Sequence, residues 1–350
     1  MKRNLVSLLL LFLILVVVFE SSGQMNRRAI KRNNKRISSF TGQRTSFTKR
    51  YNFIGLSVNS MNYFGDLAPL SKRLSTDISF TKPAFGFSIA RRFGPRYTLQ
   101  AQFLYGTLSG SDTDSADPSK SKDRPRYLRN LSFRNHVKEI SVVAYYDLFE
   151  NLFTYSKRPV WAPYAYLGVA LILHNPKAQA PKTDLAGNVL PEAGDWISLR
   201  SLGTEGQYSK LDPADANYGI KPYSLLVVAI PFGVGSRFKL TELLDLWVEI
   251  GARYTFTDYL DDVSKSYVDL GTLNSPLAKA MSYRTSELGP LSDPLTYQGR
   301  DELYYTVQDG YGHERQDNIR GNKSANDMYM VTSLRLTCII PHSFQRPKHR

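Results

Sequence analysis

Four aspartates, Asp258, Asp261, Asp262 and Asp269, crowd residues 258–269 of this 350-residue chain. Clustered carboxylate oxygens are the donors that calcium takes. The stretch lacks the glycine-punctuated acidic loop of an EF-hand, however, so the expected role is structural: closing a strand end and holding the following loop at its root. The five histidines are His136, His174, His313, His342 and His349. None lies in an H-E-x-x-H or other metal spacing, and there is no G-x-S-x-G. His136 and His174 flank expected loops, so an aspartate/histidine hydrolase using Asp261 or Asp262 is the one catalytic arrangement to weigh. The single cysteine, Cys338, can form no internal disulfide and lies in an apolar strand pattern. It reads as a small lipid-facing hydrophobe rather than a nucleophile. The expectation is therefore no enzyme, no metal and no cofactor.

The remaining charged groups of interest lie within alternating segments. Residues 246–257 read Leu-Trp-Val-Glu-Ile-Gly-Ala-Arg-Tyr-Thr-Phe-Thr. Side chains alternate across a strand, so Leu246, Val248, Ile250, Ala252, Tyr254 and Phe256 make one apolar face, and Trp247, Glu249, Gly251 and Arg253 lie on the other. The length suits a strand crossing a bilayer at a tilt, which needs about 9–11 residues. Seven further segments alternate similarly: 51–59, 84–93, 97–106, 137–148, 162–171, 224–239 and 328–339. The predicted fold is all-β, an eight-stranded antiparallel transmembrane β-barrel. Its inward set includes Arg92, Glu139, Tyr145, Asp147, Tyr164, Tyr166, Arg237, Glu249, Arg253 and Arg335. Eight strands leave room only for side chains. Unpaired charges in a low-dielectric lumen are costly, so these groups should pair and plug the cylinder. A gated ion or small-solute pathway is the competing reading; a passive porin does not fit the size.

Connection lengths support closure. Residues 94–96, 149–161 and 240–245 are short links, whereas 60–83, 107–136, 172–223 and 258–327 are long. Short turns on one rim and long loops on the other mark an outer-membrane barrel. A soluble β-sandwich with one wet face explains the alternation but not this pattern. The low mean hydropathy, −0.32, fits strands that are only half apolar. The excess of 22 tyrosines over 18 phenylalanines fits rings at membrane interfaces.

Residues 1–23 read as a signal peptide: a basic start, an apolar run from Leu5 to Phe19, then Ser21 and Gly23. Residues 24–50 carry nine basic and no acidic side chains, 51–340 form the barrel, and 341–350 are a short basic tail. With both termini on the short-turn, periplasmic side, the basic stretch is a candidate grip for an acidic partner. Arg27, Arg28, Lys31, Arg32, Lys35 and Arg36 are its contact candidates. Despite the net charge of +14, no nucleic acid is expected as partner of an exported chain whose basic stretch lacks aromatic interleaving, and no small-molecule substrate is expected.

One segment carries a family resemblance. Phe256-Thr-Asp-Tyr-Leu-Asp-Asp-Val-Ser264, following Glu-Ile-Gly-Ala-Arg-Tyr, resembles the hallmark of PorG-like outer-membrane β-barrels of Bacteroidota. Asn62-Tyr-Phe-Gly-Asp-Leu67, Ile230-Pro-Phe-Gly-Val-Gly235 and Arg320-Gly-Asn322 before Asp327-Met-Tyr329 agree in order and spacing. The motif residues are Asp258, Tyr259, Leu260, Asp261, Asp262, Arg320, Gly321 and Asn322. The resemblance implies a small barrel fixed in outer-membrane lipid. It also implies a place in type IX secretion or gliding machinery, contacting periplasmic ring subunits of the PorK and PorN type. Two departures stand out: longer loops, notably 172–223, and a terminus that continues past Phe344 into Gln-Arg-Pro-Lys-His-Arg. A transport or surface-binding barrel of unassigned substrate is the alternative.

Overall fold

A computed structural model describes residues 50–67, 81–151, 155–315, 317–322 and 325–340. The signal peptide, the basic candidates Arg27 to Arg36 and the C-terminal tail lie outside them. In chain order the strands are β1 (Tyr51–Phe64), β2 (Lys82–Arg92), β3 (Tyr97–Ser111), β4 (Ser132–Asp147), β5 (Trp161–Leu173) and β6 (Pro176–Gln179). There follow β7 (Trp196–Ser198), β8 (Leu226–Lys239), β9 (Leu244–Thr255), β10 (Pro294–Gln298), β11 (Tyr304–Gln308) and β12 (Met328–Ile340).

Alternation in the sequence becomes inside and outside of a closed wall. On β9, Trp247 is 1% exposed, while Val248 and Ile250 face outward. Leu56 and Phe85, at 68% and 62% exposure, show how completely the outer rows are left open. The eight long strands pair antiparallel in the order β3-β2-β1-β12-β9-β8-β5-β4, and β3 pairs with β4 to close the ring. Closure gives each spanning strand two hydrogen-bonding neighbours, the condition for a sheet in hydrocarbon. Among the described residues no helix is long and apolar enough to cross a membrane.

All eight predicted strands are present, and some run further than alternation indicated. The β3–β4 ladder continues to the pair Ser111 and Ser132. Beyond Gly106 on β3 and before Glu139 on β4 the outward positions are Thr107, Ser109, Arg134, His136 and Lys138, so the apolar signal ends while the backbone pairing continues.

The long loops have structure of their own. Short helices α1 (Asp112–Ser115) and α2 (Arg124–Arg129) bridge β3 to β4, and α3 (Leu199–Leu202) and α4 (Pro276–Ser282) follow in later loops. β6 adds to the upper part of β4, β7 adds to β6, and β10 pairs with β11 as a separate hairpin. Three buried clusters result. Tyr51, Phe53, Tyr145, Tyr164, Tyr166 and Trp247 pack the lower lumen. Leu104, Val137, Ile172, Leu260, Val263 and Tyr329 belong to the core that joins the upper lumen to the loops. Val268, Leu270, Tyr283, Tyr305 and Val307 form a core within the external loops.

Candidate functional site

The lumen is a stack of paired charges. Near the short-turn rim, Arg158 donates to Asp245 Oδ1 at 2.9 and 2.7 Å and to the carbonyls of Thr241 and Glu242, tying two turns together. Above it, Asp147 sits between Arg92 at 2.7 Å and Arg237 at 2.5 Å. Next, Arg335 donates to Glu249 at 2.8 Å, to Gln100 at 2.8 Å and to Gln102 at 3.3 Å, while Tyr164 donates to Glu249 at 2.9 Å. Glu139 then takes Arg253 at 3.5 Å and the Tyr329 hydroxyl at 2.7 Å. Every lumen charge expected from sequence is therefore buried and has an opposite charge beside it, as the cost of an unpaired buried charge demands. Arg158 escaped the sequence reading because it lies in a turn, where parity gives no signal, and Asp245 because it continues the inward parity of Trp247 and Glu249 one residue before the segment read as a strand.

Over this stack, the segments carrying the family resemblance meet at the barrel mouth. Asp261 accepts from the amides of Leu67 and Val263 at 3.1 and 2.9 Å. Asp327 accepts from the Tyr63 hydroxyl and, at 2.8 Å, from the Leu260 amide. Asp262 accepts from Thr204 at 2.5 Å and Tyr223 at 2.7 Å, and Arg320 lies 3.6 Å away. Its φ of 70° places it in the left-handed region that aspartate tolerates better than most residues. Tyr259 stacks on Tyr223 with ring centroids 4.6 Å apart.

Arg320 donates to Glu205 at 3.0 Å and to the Asp262 carbonyl at 2.6 Å. Gly321 permits close approach: a Cβ there would meet the Ser264 nitrogen at 2.5 Å. The Asn322 amide then donates to Asp66 at 2.7 Å. Arg129 completes the lock, holding Asp112 with two nitrogens and the carbonyls of Arg320 and Asp66 as well. Asp66, Glu205, Arg129 and Asp327 were missed as site residues. Asp66 and Asp327 do lie inside the quoted motif stretches, which was the available signal.

Carboxylates outnumber guanidinium groups here, and electrostatics follow. Burial, joined by the charge of Asp66, pushes Asp258 and Asp261 up to about 8. Burial also raises Asp262, to about 6, where the Arg320 charge opposes it. These groups hold protons well above the ordinary carboxylate range.

The catalytic and metal arrangements weighed from sequence do not assemble. His136 is exposed on the outer wall, whereas Asp261 is fully buried at the mouth. His174 is buried beside Asn135 and the Ser224 carbonyl, and desolvation lowers it to about 4, leaving it neutral. Asp269 turns away to cap Gly271 and accept from Arg300. Among the described residues, no cluster of three or more acidic, histidine or cysteine groups could hold a metal ion. What this arrangement does chemically is lock four loops over a filled cylinder.

Residues 39–185 match the family model described as Domain of unknown function (DUF6089), a span covering β1 to β6. No curated protein matches the chain. Among solved structures, OprG from Pseudomonas aeruginosa is similar at 11% identity and TM-score 0.38, covering 84% of this chain and 98% of that one. A major outer membrane protein from Thermus thermophilus aligns at 10% identity and TM-score 0.36, covering 83% and 99%. The N-terminal β-barrel domain of Pseudomonas aeruginosa OprF aligns at 9% identity and TM-score 0.30, covering 83% and 100%.

Proposed function

We propose that the chain is an integral outer-membrane β-barrel acting as an anchor, which positions periplasmic components of a type IX secretion or gliding machine. The observation carrying this reading is the combination of an apolar outer wall with a lumen occupied throughout by ion-paired side chains. A cylinder built this way suits attachment better than passage, because opening it would strand several buried charges. The convergence of Asn62–Leu67, Phe256–Ser264 and Arg320–Asn322 on one lock is consistent with the PorG-like resemblance, since spatial contact gives these separated stretches a common role.

Under this reading the barrel begins at Tyr51 on the short-turn rim, opposite Arg92 at the end of β2. The basic stretch preceding it therefore joins the barrel on the periplasmic side. Arg27, Arg28, Lys31, Arg32, Lys35 and Arg36 are assigned to an acidic face of ring subunits of the PorK and PorN type. Replacing all six with Gln is expected to lower recovery of ring subunits when the tagged protein is pulled down from solubilised outer membrane. Unchanged recovery overturns the contact.

A second reading, a surface-binding or transport barrel, is favoured by the separate apolar core of the external loops. Planar-bilayer recording separates the two: steady single-channel conductance of the wild type contradicts the plugged anchor.

A further inference from the structure

The outward row of β4 changes character at one point. Tyr146, Ala144, Val142 and Ile140 continue the apolar wall; the next outward residues toward the mouth are Lys138, His136 and Arg134. We infer that this basic column is a binding site for the phosphorylated headgroup of an outer-leaflet lipid.

Neighbouring elements complete the patch. Lys177 of β6 stands in register beside Arg134, bringing a cation from a second strand. Trp196 of β7 lies under the Arg134 guanidinium, 3.7 Å from carbon to ring centroid. Tyr105 of β3 is in register with Lys138, and its ring stacks on His136 at 6.3 Å. Thr107 bonds the other side of that imidazole, Oγ1 to Nδ1 at 2.9 Å. Exposed Trp and Tyr rings are characteristic of the zone where acyl chains meet headgroups.

The charges here are unspent. Arg134, Lys138 and Lys177 form no ion pair among the described residues, and Arg134 Nε is buried without a hydrogen-bond partner. The carboxylate next to Lys138 in sequence, Glu139, points into the lumen toward Tyr329 and Arg253. A lipid phosphate monoester suits this geometry: its oxygens accept from guanidinium and ammonium groups in short charge-assisted bonds, while its acyl chains lie along the Ile140–Tyr146 row.

This site rests on the proposed outer-membrane orientation, and its test separates the two. The full chain is inserted into phosphatidylcholine vesicles with and without bisphosphorylated lipid A, then extracted in mild detergent, and co-eluting lipid A is quantified. The variants are R134Q/K138Q/K177Q and, at the opposite rim, R91Q. Each must show the heat-modifiable gel mobility of a folded barrel; K138Q alone serves if the triple variant does not fold. Wild type and R91Q should retain lipid A, with at least about a fivefold loss in the triple variant and a smaller loss in K138Q. Equal retention by inserted wild type and variants overturns the site alone. Complete displacement by millimolar inorganic phosphate assigns the patch to free phosphate and overturns the lipid assignment. Failure of the wild type to insert removes the membrane reading and this site together.

Discussion

Arg335 on β12 donates to Glu249 on β9 and to Gln100 on β3, each at 2.8 Å, so one guanidinium spans the lumen between walls that are not neighbours. The same group lies over the Trp247 ring, 5.6 Å from its centroid. Arginine suits this position because its planar fork spreads donors over separate nitrogens that reach acceptors on different walls, whereas the three donors of a lysine radiate from a single nitrogen. The lower lumen is closed by these contacts and by the aromatic rings of Tyr145, Tyr164 and Tyr166 around them.

Removing one partner from this pair should cost more than removing both. Glu249→Ala leaves a guanidinium uncompensated at a site where both side chains are almost fully buried, a loss of about 3–5 kcal/mol. Arg335→Ala/Glu249→Ala restores part of that stability and leaves space along the axis. Urea unfolding in vesicles, followed by gel mobility, should rank wild type, double variant and Glu249→Ala in that order. Planar-bilayer recording should detect conductance in the double variant. A double variant less stable than Glu249→Ala contradicts the pairing argument.

A glycine pair sets the space for one of those rings. Gly233 and Gly251 are in register on β8 and β9, and a Cβ on Gly251 would meet Tyr166 Oη at 2.0 Å and the Phe232 carbonyl oxygen at 2.4 Å. The hydroxyl could shift, but the carbonyl belongs to the ladder. Gly251→Ala should destabilise by about 1–3 kcal/mol, with Tyr166→Phe rescuing only part of the loss. Gly94→Ala is the control, since nothing lies within 4 Å of its added carbon. Equal unfolding midpoints for the two alanine variants would show that the ring and carbonyl leave more room than these distances allow.

The barrel was legible in the sequence because its signal is local. Period-two alternation names both the strand and the direction of every side chain, so Arg92, Glu139, Arg237, Glu249, Arg253 and Arg335 could be placed before any contact was known. The mouth was not legible in that way. Tyr63 meets Asp327 across 264 residues, and Leu67 meets Asp261 across 194. Neither partner has a periodic neighbourhood that points to the other. A motif reading marked Asp258 to Asp262 and Arg320 to Asn322 as special without indicating that they touch. The cap elements β6, β7, β10 and β11 are three to five residues each, too short for alternation to rise above composition.

That lock makes a pH prediction whose sign follows from burial. Asp258 and Asp261 are raised from 3.8 to about 8, so at neutral pH the folded mouth binds protons that the opened loops would release. Their contribution is fully present below the unfolded value and is lost as pH rises through about 8. Asp66, Asp262, Glu205 and Asp327 face the same region, and Arg129 and Arg320 supply its buried positive charge. Deprotonation therefore adds repulsion that those two cations, already paired with Asp112 and Glu205, do not neutralise. Protease cleavage within the external loops, normalised to an unstructured peptide, should accelerate between about pH 6 and pH 9 while the barrel stays heat-modifiable. Asp258→Asn mimics the protonated form, so it should flatten that rise without loosening the loops at pH 6. Loops that become more resistant as pH increases would require the Asp258 and Asp261 carboxylates to be stabilised as anions, contrary to the burial of the site and the acidic groups around it.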